Sequence, residues 1–319
     1  MKKKKISIVI PLYNKAKYIA RALDSVLAQT FTDFDIIVLD DGSTDEGPDI
    51  VNKYNDSRVK LIHQNNIGPG AARNRGILES GSEYVVCLDA DDEFAPEFLE
   101  VSLRSLEENP ECVLSIVDFI FVGKDDSTRK FKITPGVWRL PENMEPSELN
   151  MTLGHILSAT LFRRDVIMKM GGFYENHCTY GEDKDLWLRV LLNYKVFWNT
   201  DKLVIYHIEN SGLYLPNQKM QTPVWPFLKE PERIQKSCPE IYRDLLEKFL
   251  AYMAVNQALV IAGQGNTQTA QYLVEKYPLM NLWRWEYTKV ITKIRFPWIV
   301  PLIRLIKSPI VKLKEQSSL

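Results

Sequence analysis

The sequence predicts an α/β protein in which a mainly parallel sheet is covered by helices on both faces. Strand-like and helix-like segments alternate from residue 6 to residue 88 with short links between them, as in βαβ units joined by right-handed crossovers. The strand-like segments are continuous apolar runs, which is typical of strands buried on both faces. Three of the four end in polar, turn-forming or acidic residues, and open α/β sheets bind ligands at that edge.

The predicted elements follow one another from the N-terminus. Helical periodicity runs through Ile19, Leu23 and Val26, and a Gly-Pro-Gly turn at residues 68–70 opens a later helix. The predicted strands are 6–11, 36–39, 59–63 and 84–88, and the helices between them are 16–29, 49–54 and 71–79. Much later, the apolar spacing predicts a long helix at 242–261 and a shorter one at 267–277 that packs against it.

The fourth predicted strand ends in three carboxylates, Asp89, Asp91 and Asp92. Two carboxylates at positions i and i+2 leave the strand end on one edge, so they can share one hard cation. Mg²⁺ or Mn²⁺ would need further anionic oxygens, which a nucleotide diphosphate supplies. The alternative is an acidic loop that caps the helix beginning near Pro96, but the other strand ends favour a ligand site.

Those other strand ends also suit a nucleotide diphosphate. Tyr13 and Asn14 follow the first strand, where an aromatic ring can stack on a base at about 1–3 kcal/mol. Asp41 can accept a hydrogen bond from the imide N–H of uracil or thymine; the alternative is an Asp-Gly turn with a helix cap. Arg73 is either a donor contact or a solvated helix charge. Neither GxGxxG nor GxxxxGK[ST] is present, which argues against dinucleotide oxidoreductases and P-loop ATPases.

In this order, the motifs closely resemble those of the family 2 glycosyltransferases, which are inverting, nucleotide-sugar-dependent enzymes of the GT-A fold. The resemblance covers roughly residues 5–212 and implies a Rossmann-like, mainly parallel sheet flanked by helices. The matching motifs are SIVIPLYN (7–14), DDGSTD (40–45), GAARNRG (70–76), DADD (89–92), GGF (171–173), GED (181–183) and DLWLR (185–189).

The resemblance also implies roles for individual residues. Asp91 would bind the divalent ion between the two phosphates, and Asp183 would be the base that takes a proton from the acceptor hydroxyl. The family often has a Tyr-Arg-x-His stretch where this chain reads YHIE at 206–209, so His207 is the candidate for a second metal or diphosphate contact, with a structural histidine as the alternative. The implied donor-binding residues are Pro11, Tyr13, Asn14, Asp41, Arg73, Asp89 and Ala90.

The chemistry of sugar transfer fits this set. A cation on Asp91 would stabilise the departing diphosphate, and a base on the opposite face of the sugar would give a single displacement with inversion. Because an Asp with a pKa of about 3.9 is a weak base, we expect burial or Glu182 to raise the pKa of Asp183. The alternative for residues 182–189 is an ordinary amphipathic core helix, and both interpretations can hold together.

Composition narrows the setting. The chain has 319 residues, 45% of them hydrophobic, which is enough for a packed core and a smaller second region. Its net charge of −1 supplies no positive electrostatic field that would attract nucleic acid. The four cysteines are scattered without a CxxC pair, as in reducing compartments. The basic N-terminus lacks a signal-peptide cleavage site, and we expect no run of about 18 apolar residues that would span a membrane. These features predict a cytoplasmic protein.

The C-terminal part differs in amino-acid composition. Between residues 283 and 314, aromatic residues such as Trp285 and Trp298 alternate with Lys and Arg, and Glu286 is the single acid. This composition favours an anionic membrane surface as a partner, on the inner face of the cell membrane; the alternatives are a basic tail or a helix docked on the catalytic domain. The predicted domains are a catalytic domain at 1–214 (donor half about 1–95, acceptor half about 96–214) and a helical extension at 215–319.

We interpret the chain as an inverting glycosyltransferase that moves a hexosyl or N-acetylhexosaminyl group from a UDP-sugar to a hydroxyl of a glycan or lipid-linked acceptor, in surface polysaccharide or glycoconjugate synthesis. A polyprenyl-phosphate glycosyl synthase would use the same site with a phosphate acceptor, and a non-catalytic nucleotide-sugar-binding protein would keep only the fold. Retention of Asp91 and Asp183 favours the enzyme. A nucleotidyltransferase would need a Gly-rich basic loop after the first strand, where residues 11–14 read PLYN.

Overall fold

The structure is a computed structural model that describes residues 3–122, 134–155, 160–176, 178, 180–207 and 222–297. Its strands are β1 (Ile6–Leu12), β2 (Phe34–Asp40), β3 (Val59–His63), β4 (Tyr84–Cys87), β5 (Glu93–Phe94), β6 (Cys112–Val122), β7 (Gly136–Trp138), β8 (Thr160–Arg163) and β9 (Lys195–His207). Its helices are α1 (Ile19–Leu27), α2 (Gly47–Asn52), α3 (Pro69–Glu79), α4 (Phe98–Glu108), α5 (Pro146–His155), α6 (Arg164–Lys169), α7 (Glu182–Asn193), α8 (Pro226–Lys229), α9 (Glu232–Gln235), α10 (Arg243–Gly263), α11 (Thr267–Lys276) and α12 (Arg284–Arg295).

One sheet joins the nine strands of the described ranges in the order β3-β2-β1-β4-β8-β6-β9-β5, with β7 paired to β9. The first four strands form its parallel half, because β1 runs parallel to β2 and β4, and β2 runs parallel to β3. In the other half β6 and β9 are parallel, whereas β5, β7 and β8 pair antiparallel with their neighbours. The predicted α/β class with strands and helices alternating through the N-terminal half is confirmed.

The core of the parallel half is built from the apolar runs of the strands. Ile8 of β1 lies opposite Ile36 of β2 and Val86 of β4, and all three side chains are fully buried. Helix α3 approaches this sheet closely at Gly76, where an added Cβ would collide with the Val9 side chain. A glycine is therefore required inside this helix although glycine weakens helices in general, and the close approach fixes the position of α3 over the sheet.

The strand register brings three loop starts to one edge of the sheet. Leu12 at the end of β1 lies opposite Asp40 at the end of β2, and the next N–H, that of Asp41, donates to the Leu12 carbonyl at 2.8 Å. The N–H of Leu88, just after β4, donates to the Val9 carbonyl at 2.9 Å. The segments that follow β1, β2 and β4 therefore leave the sheet side by side.

The antiparallel half holds the end of the segment that follows β4. The short strand β5 pairs Glu93 with Ile205 of β9 and Phe94 with Val204, and the N–H of Ala95 donates to the Leu203 carbonyl at 2.9 Å. The turn at residues 88–92 is thus anchored to β1 on one side and to β9 on the other.

The described chain packs into two compact units. The first draws on the ranges Met1–Glu142, Asn150–Pro216 and Lys236–Pro239, and it contains the sheet. The second draws on Asn143–Leu149, Asn217–Gln235 and Glu240–Leu319. In this second unit α10 packs against α11 and α12, so the predicted long helix and the helix packed on it are both found.

The expectation that no segment is long and apolar enough to cross a membrane was wrong for one helix. Within the described ranges, Glu240–Gly263 passes that test by length and composition. However, 67% of its most apolar window is buried inside the protein, where residues such as Phe249 and Ala254 have no exposed surface. Burial by neighbouring helices is typical of a core helix.

Candidate active site

The loops that follow β1 and β2 are held together by Asn14. This residue has a φ of 51°, a left-handed conformation that Asn adopts more readily than most residues. Its Oδ1 accepts a hydrogen bond from the Thr44 N–H at 2.8 Å, and its own N–H donates to Ser43 Oγ at 3.1 Å. Pro11 lies in β1, and the Tyr13 side chain beside this loop pair is 48% exposed. The Tyr13 ring is therefore accessible to a planar ligand.

Asp41 organises the loop that begins α3. Its buried carboxylate accepts hydrogen bonds from Gln64 Nε2 at 2.8 Å, the Ile67 N–H at 3.0 Å and the Gly68 N–H at 2.9 Å. Gly68 is the N-cap of α3, with a φ of 100°, and a carboxylate at a helix N-terminus is stabilised by the helix dipole. The structure therefore gives Asp41 a loop-ordering role, and its contact with a pyrimidine stays a prediction.

The carboxylates after β4 form a tight turn, which we call the donor turn (residues 89–92). The Asp92 N–H donates to the Asp89 carbonyl at 3.0 Å, and Ala90 is buried within the turn. The Asp91 Oδ2 atom lies 2.6 Å from the Lys15 ammonium. Burial nevertheless raises the pKa of Asp91, and burial together with the charges of Asp89 and Asp91 raises the pKa of Asp92 well above its usual range. The donor turn is thus crowded with negative charge, which an added cation would relieve.

Arg73 joins the donor turn to the start of α7. Its Nη2 atom lies 2.7 Å from Asp89 Oδ1, and its Nη1 atom lies 2.6 Å from Glu182 Oε1. Both contacts are charge-assisted hydrogen bonds, which are stronger than neutral ones. Because Glu182 is the first residue of α7, this Arg73 bridge also brings the neighbouring Asp183 into the same electrostatic cluster.

Asp183 is the second residue of α7, whose cap residue Gly181 has a φ of 85° that favours glycine. Burial is the main cause that raises the pKa of Asp183 to about 6; the Glu182 charge raises it further, while Arg73 lowers it. The Asp183 Oδ1 atom accepts a hydrogen bond from the Lys184 N–H at 2.7 Å. The raised pKa expected from the sequence is therefore present, and a carboxylate with such a pKa accepts protons near neutral pH better than an ordinary Asp.

Helix α7 is also a core helix, so both interpretations of residues 182–189 hold. Its polar anchor is a buried pair, in which Arg189 Nη2 lies 2.7 Å from Asp185 Oδ2 and also donates to the Gly172 carbonyl at 2.7 Å. From α3, Asn74 Nδ2 donates to the Phe173 carbonyl at 2.9 Å. The segment before α7 is thus held from both sides. The buried apolar residues of α7 are Leu186, Trp187, Leu188, Val190, Leu191 and Leu192.

His207 lies at the end of β9, beside the donor turn. Its Nε2 atom is 2.5 Å from Glu93 Oε1, and its N–H donates to Asp92 Oδ1 at 3.3 Å. Arg21 Nε lies 3.2 Å from the same Glu93 oxygen. The structure therefore pairs the His207 imidazole with a carboxylate, and its predicted metal or diphosphate contact stays a prediction.

The donor turn fits a divalent ion that is bound jointly with a diphosphate. Across the described residues, no position is surrounded by three or more His, Cys, Asp or Glu side chains suited to a metal. Mg²⁺ is commonly held by one or two carboxylates plus substrate phosphates, and the donor turn offers the Asp89 and Asp91 carboxylates next to each other, where burial and the Asp89 charge raise the pKa of Asp91. The sequence analysis did not identify Lys15, which pairs with Asp91 in the structure. Its position directly after Tyr13 and Asn14, at the end of the first strand, could have indicated this role.

Comparison with known proteins identifies the family of the chain. Residues 7–171, just over half of the chain, match the family model described as Glycosyl transferase family 2. The chain belongs to glycosyl transferase family 2. The family assignment expected from the motifs is therefore confirmed. The matched range contains all the predicted donor residues and Asp91, and it ends before Asp183.

The curated relatives align with only part of this chain, and this chain aligns with only part of each relative. An uncharacterised glycosyltransferase of Rickettsia felis is 41% identical over 106 residues, which are 33% of this chain and 18% of that protein. An uncharacterised glycosyltransferase of Escherichia coli K12, YibD, is 34% identical over 173 residues, which are 52% of this chain and 50% of that protein. The chain thus spans less than a fifth of the first relative and half of the second.

Solved structures confirm the GT-A fold with C-terminal helices. Residues 1–349 of S. aureus TarS superpose with a TM-score of 0.66 at 19% identity, covering 91% of this chain and 89% of that one. The mannosyltransferase PcManGT from Pyrobaculum calidifontis, in complex with GDP-Man and Mn²⁺, superposes with a TM-score of 0.54 at 15% identity, covering 92% and 87%. At these identities the likeness establishes the architecture alone.

Proposed function

We propose that this glycosyltransferase moves a sugar from a UDP-sugar to a hydroxyl group of a glycan or lipid-linked acceptor, with inversion at the anomeric carbon. The observation that carries the proposal is the Arg73 bridge between the donor turn and the start of α7. It connects a carboxylate-rich strand end to a helix turn whose Asp183 has a raised pKa. Sugar transfer to a hydroxyl needs this combination of diphosphate binding and a general base.

Two observations support UDP as the nucleotide. S. aureus TarS has been solved with UDP and with UDP-GlcNAc, which also supports an N-acetylhexosaminyl donor for this chain. Tyr13 is accessible at the strand edge next to Asp41, whose Oδ1 is shared between the side chain of Gln64 and a loop N–H. A uracil imide N–H would take the place of the Gln64 amide, while the loop N–H groups keep their bonds to the carboxylate.

Some residues of the site would stabilise the leaving diphosphate, and Asp183 would deprotonate the attacking hydroxyl. Asp91 would hold Mg²⁺ or Mn²⁺, as the Mn²⁺ in PcManGT suggests, and that ion would supply Lewis-acid stabilisation of the diphosphate when bound. Lys15 would add positive charge at the same place, and His207 is proposed as a second contact. Asp183 would accept the proton of the acceptor hydroxyl as the oxygen attacks from the face opposite the diphosphate, which inverts the anomeric centre.

The domain division and the cellular location of the enzyme are also part of the proposal. Residues 1–214 would form the catalytic domain and 215–319 a helical extension, in a cytoplasmic enzyme of surface polysaccharide or glycoconjugate synthesis that meets an anionic membrane surface. A phosphate acceptor, as used by polyprenyl-phosphate glycosyl synthases, needs little base assistance. The raised pKa of Asp183 therefore supports a hydroxyl acceptor.

The proposal is tested by a thermal-shift panel of UDP-, dTDP- and GDP-sugars with and without MnCl₂, followed by UDP-release assays. We expect a UDP-sugar with Mn²⁺ to give the largest shift, because a ligand at about 100 times its Kd adds about 2.7 kcal/mol to the free energy of unfolding. UDP release should fall by about two to three decades in Asp91→Ala, the scale of losing one dominant electrostatic group. Full turnover in EDTA would refute the metal assignment, and a shift only with GDP-sugars would refute the donor class.

A further inference from the structure

We propose that Arg21 is a positioning residue that holds the two candidate metal contacts, Asp91 and His207, in one fixed arrangement. Arg21 is a half-buried residue of α1 and lies outside every motif that indicated the family. The inference rests on the proposed function, since it concerns the same donor turn. Arg21 acts through the backbone of that turn and through Glu93, without touching the substrate.

The Arg21 guanidinium reaches both sides of the donor turn. Its Nη2 atom donates to the Asp91 carbonyl at 2.5 Å, and its Nε atom lies 3.2 Å from Glu93 Oε1. The same Glu93 oxygen is 2.5 Å from His207 Nε2. Because a guanidinium is planar and rigid, these contacts fix the backbone of Asp91 relative to the imidazole of His207.

The contact to Asp91 is made to the backbone, while the side chain of Asp91 is tied elsewhere. Asp91 Oδ2 lies 2.6 Å from the Lys15 ammonium, whereas Arg21 binds the carbonyl oxygen. A contact to the carbonyl restrains the position of the residue and leaves its carboxylate to bind a cation. Arg21 therefore orients the Asp91 carboxylate without competing for it.

Helix α1 is a firm base for this contact, because it holds the following segment at further points. Ser25, one helical turn after Arg21, accepts a hydrogen bond from the Phe94 N–H on its Oγ at 3.2 Å. Just beyond the helix end, the buried Gln29 donates from Nε2 to the Ala95 carbonyl at 2.7 Å. Spacings of four residues place these polar side chains on one side of the helix. Gln29 thus anchors the far end of the segment, and Arg21 anchors the donor turn itself.

Positioning and simple charge predict opposite effects on the affinity for Mn²⁺. Removal of the Arg21 cation makes the donor turn more negative, so electrostatics alone would strengthen Mn²⁺ binding. If Arg21 positions Asp91 and His207, the same removal weakens Mn²⁺ binding, because the two contacts no longer keep one arrangement. Hydrogen bonds to charged groups are strong enough for this loss to reach at least about tenfold.

Calorimetry of UDP binding to the full-length protein, in EDTA and over a series of MnCl₂ concentrations, measures this affinity in Arg21→Gln. The matched control is Arg58→Gln. Arg58 is likewise paired with a carboxylate, that of Asp56 at 2.8 Å, and lies over an aromatic ring, 4.6 Å from the centroid of Phe34. Arg58 directly precedes β3, so it lies at the opposite end of the parallel strands from the donor turn.

Hydrogen exchange at the amides of residues 89–94 measures the hold on the turn without any ligand, because local opening exposes amides to solvent. We expect faster exchange there in Arg21→Gln and no change in Arg58→Gln. A second control is Gln29→Met, which leaves the Ala95 carbonyl without its partner. It should melt at a lower temperature than the wild type and keep the wild-type dependence of UDP binding on MnCl₂.

We expect Arg21→Gln to raise at least about tenfold the MnCl₂ concentration that gives half of the gain in UDP affinity, with Arg58→Gln unchanged. The proposal is overturned if Arg21→Gln needs the same or less MnCl₂, if exchange at residues 89–94 is unchanged, or if Arg58→Gln or Gln29→Met loses as much. If the wild type gains no UDP affinity from MnCl₂, the proposed metal assignment fails, and hydrogen exchange alone then decides whether Arg21 holds the turn.

Discussion

Replacing Asp183 by Asn should stabilise the folded protein above about pH 6 while it removes activity. Burial and the charge of Glu182 raise the pKa of Asp183 from 3.8 to about 6, so the folded protein disfavours the ionised form. Asn is neutral at every pH, and its Oδ1 can keep the hydrogen bond that the Lys184 N–H now donates at 2.7 Å. The substitution therefore removes the unfavourable charge with little change in shape.

The size of the effect follows from the shift. About two pKa units at about 1.4 kcal/mol each give at most about 3 kcal/mol, and solvent near the partly exposed side chain reduces this to about 1–2 kcal/mol. A raised pKa means that the favourable contribution is complete below about pH 4 and is lost as the pH rises through about 6. The variant should therefore melt with the wild type near pH 4 and several degrees above it near pH 8.

Thermal melting across this pH range measures the effect, with Asp185→Asn as the matched control on the same helix. Asp185 is fully buried and paired with Arg189 at 2.7 Å, and breaking a buried pair costs about 3–5 kcal/mol. Two carboxylates that lie two positions apart on α7 should thus respond in opposite directions. UDP-release assays of Asp183→Asn should show a collapse of kcat, and calorimetry should show that UDP affinity is retained.

Two results would contradict this reasoning. If Asp183→Asn melts at or below the wild type near pH 8, the carboxylate is not disfavoured in the folded protein. If the melting difference does not change with pH, it does not come from the titration of Asp183.

Substitutions around the donor site should separate binding, chemistry and folding. Asp41→Ala should weaken UDP binding in calorimetry, since it frees the loop that begins α3; an equal loss in Asp183→Asn would show that Asp183 is misassigned. Arg73→Lys keeps one charge but not the two-armed contact, so kcat should fall while the melting temperature changes little. An unchanged kcat would remove the bridge from the mechanism. Gly70→Ala should destabilise by several kcal/mol because the new Cβ meets a backbone carbonyl, whereas Gly81→Ala, which meets only a lysine side chain at 3.8 Å, should melt like the wild type.

The sequence reveals those parts of the fold that depend on local pattern. Strands β1 to β4 were predictable because their segments are apolar runs, three of which end in polar, turn-forming or acidic residues, and parallel packing then brings those ends together. Antiparallel β8, only four residues long, lies between β4 and β6, and nothing in so short a segment specifies its neighbours. Sequence periodicity identifies strands, and the long-range partners are set by packing.

The candidate site shows the same limit. The carboxylates of the donor turn and Asp183 were predictable from motif and position, and so was the raised pKa of Asp183. The contacts that organise them were not, because Arg73 and Glu182 are 109 residues apart and Asn74 and Phe173 are 99 apart. In the same way, Trp283 and Trp285 look equivalent in the sequence, but one packs on Tyr252 and the other is exposed.

The pairing of β5 with β9 has a consequence for protein engineering. The donor turn leaves the sheet beside β1 but returns to it through Glu93 and Phe94, which pair with Ile205 and Val204. A shift of β9 by one residue would reverse which face each of its side chains occupies and would pull on the turn. Chimeras that join the N-terminal half of one family member to the C-terminal half of another must therefore transplant β9 together with residues 93–94, because the turn that follows β4 keeps its anchor only when both partners of this pairing come from the same parent.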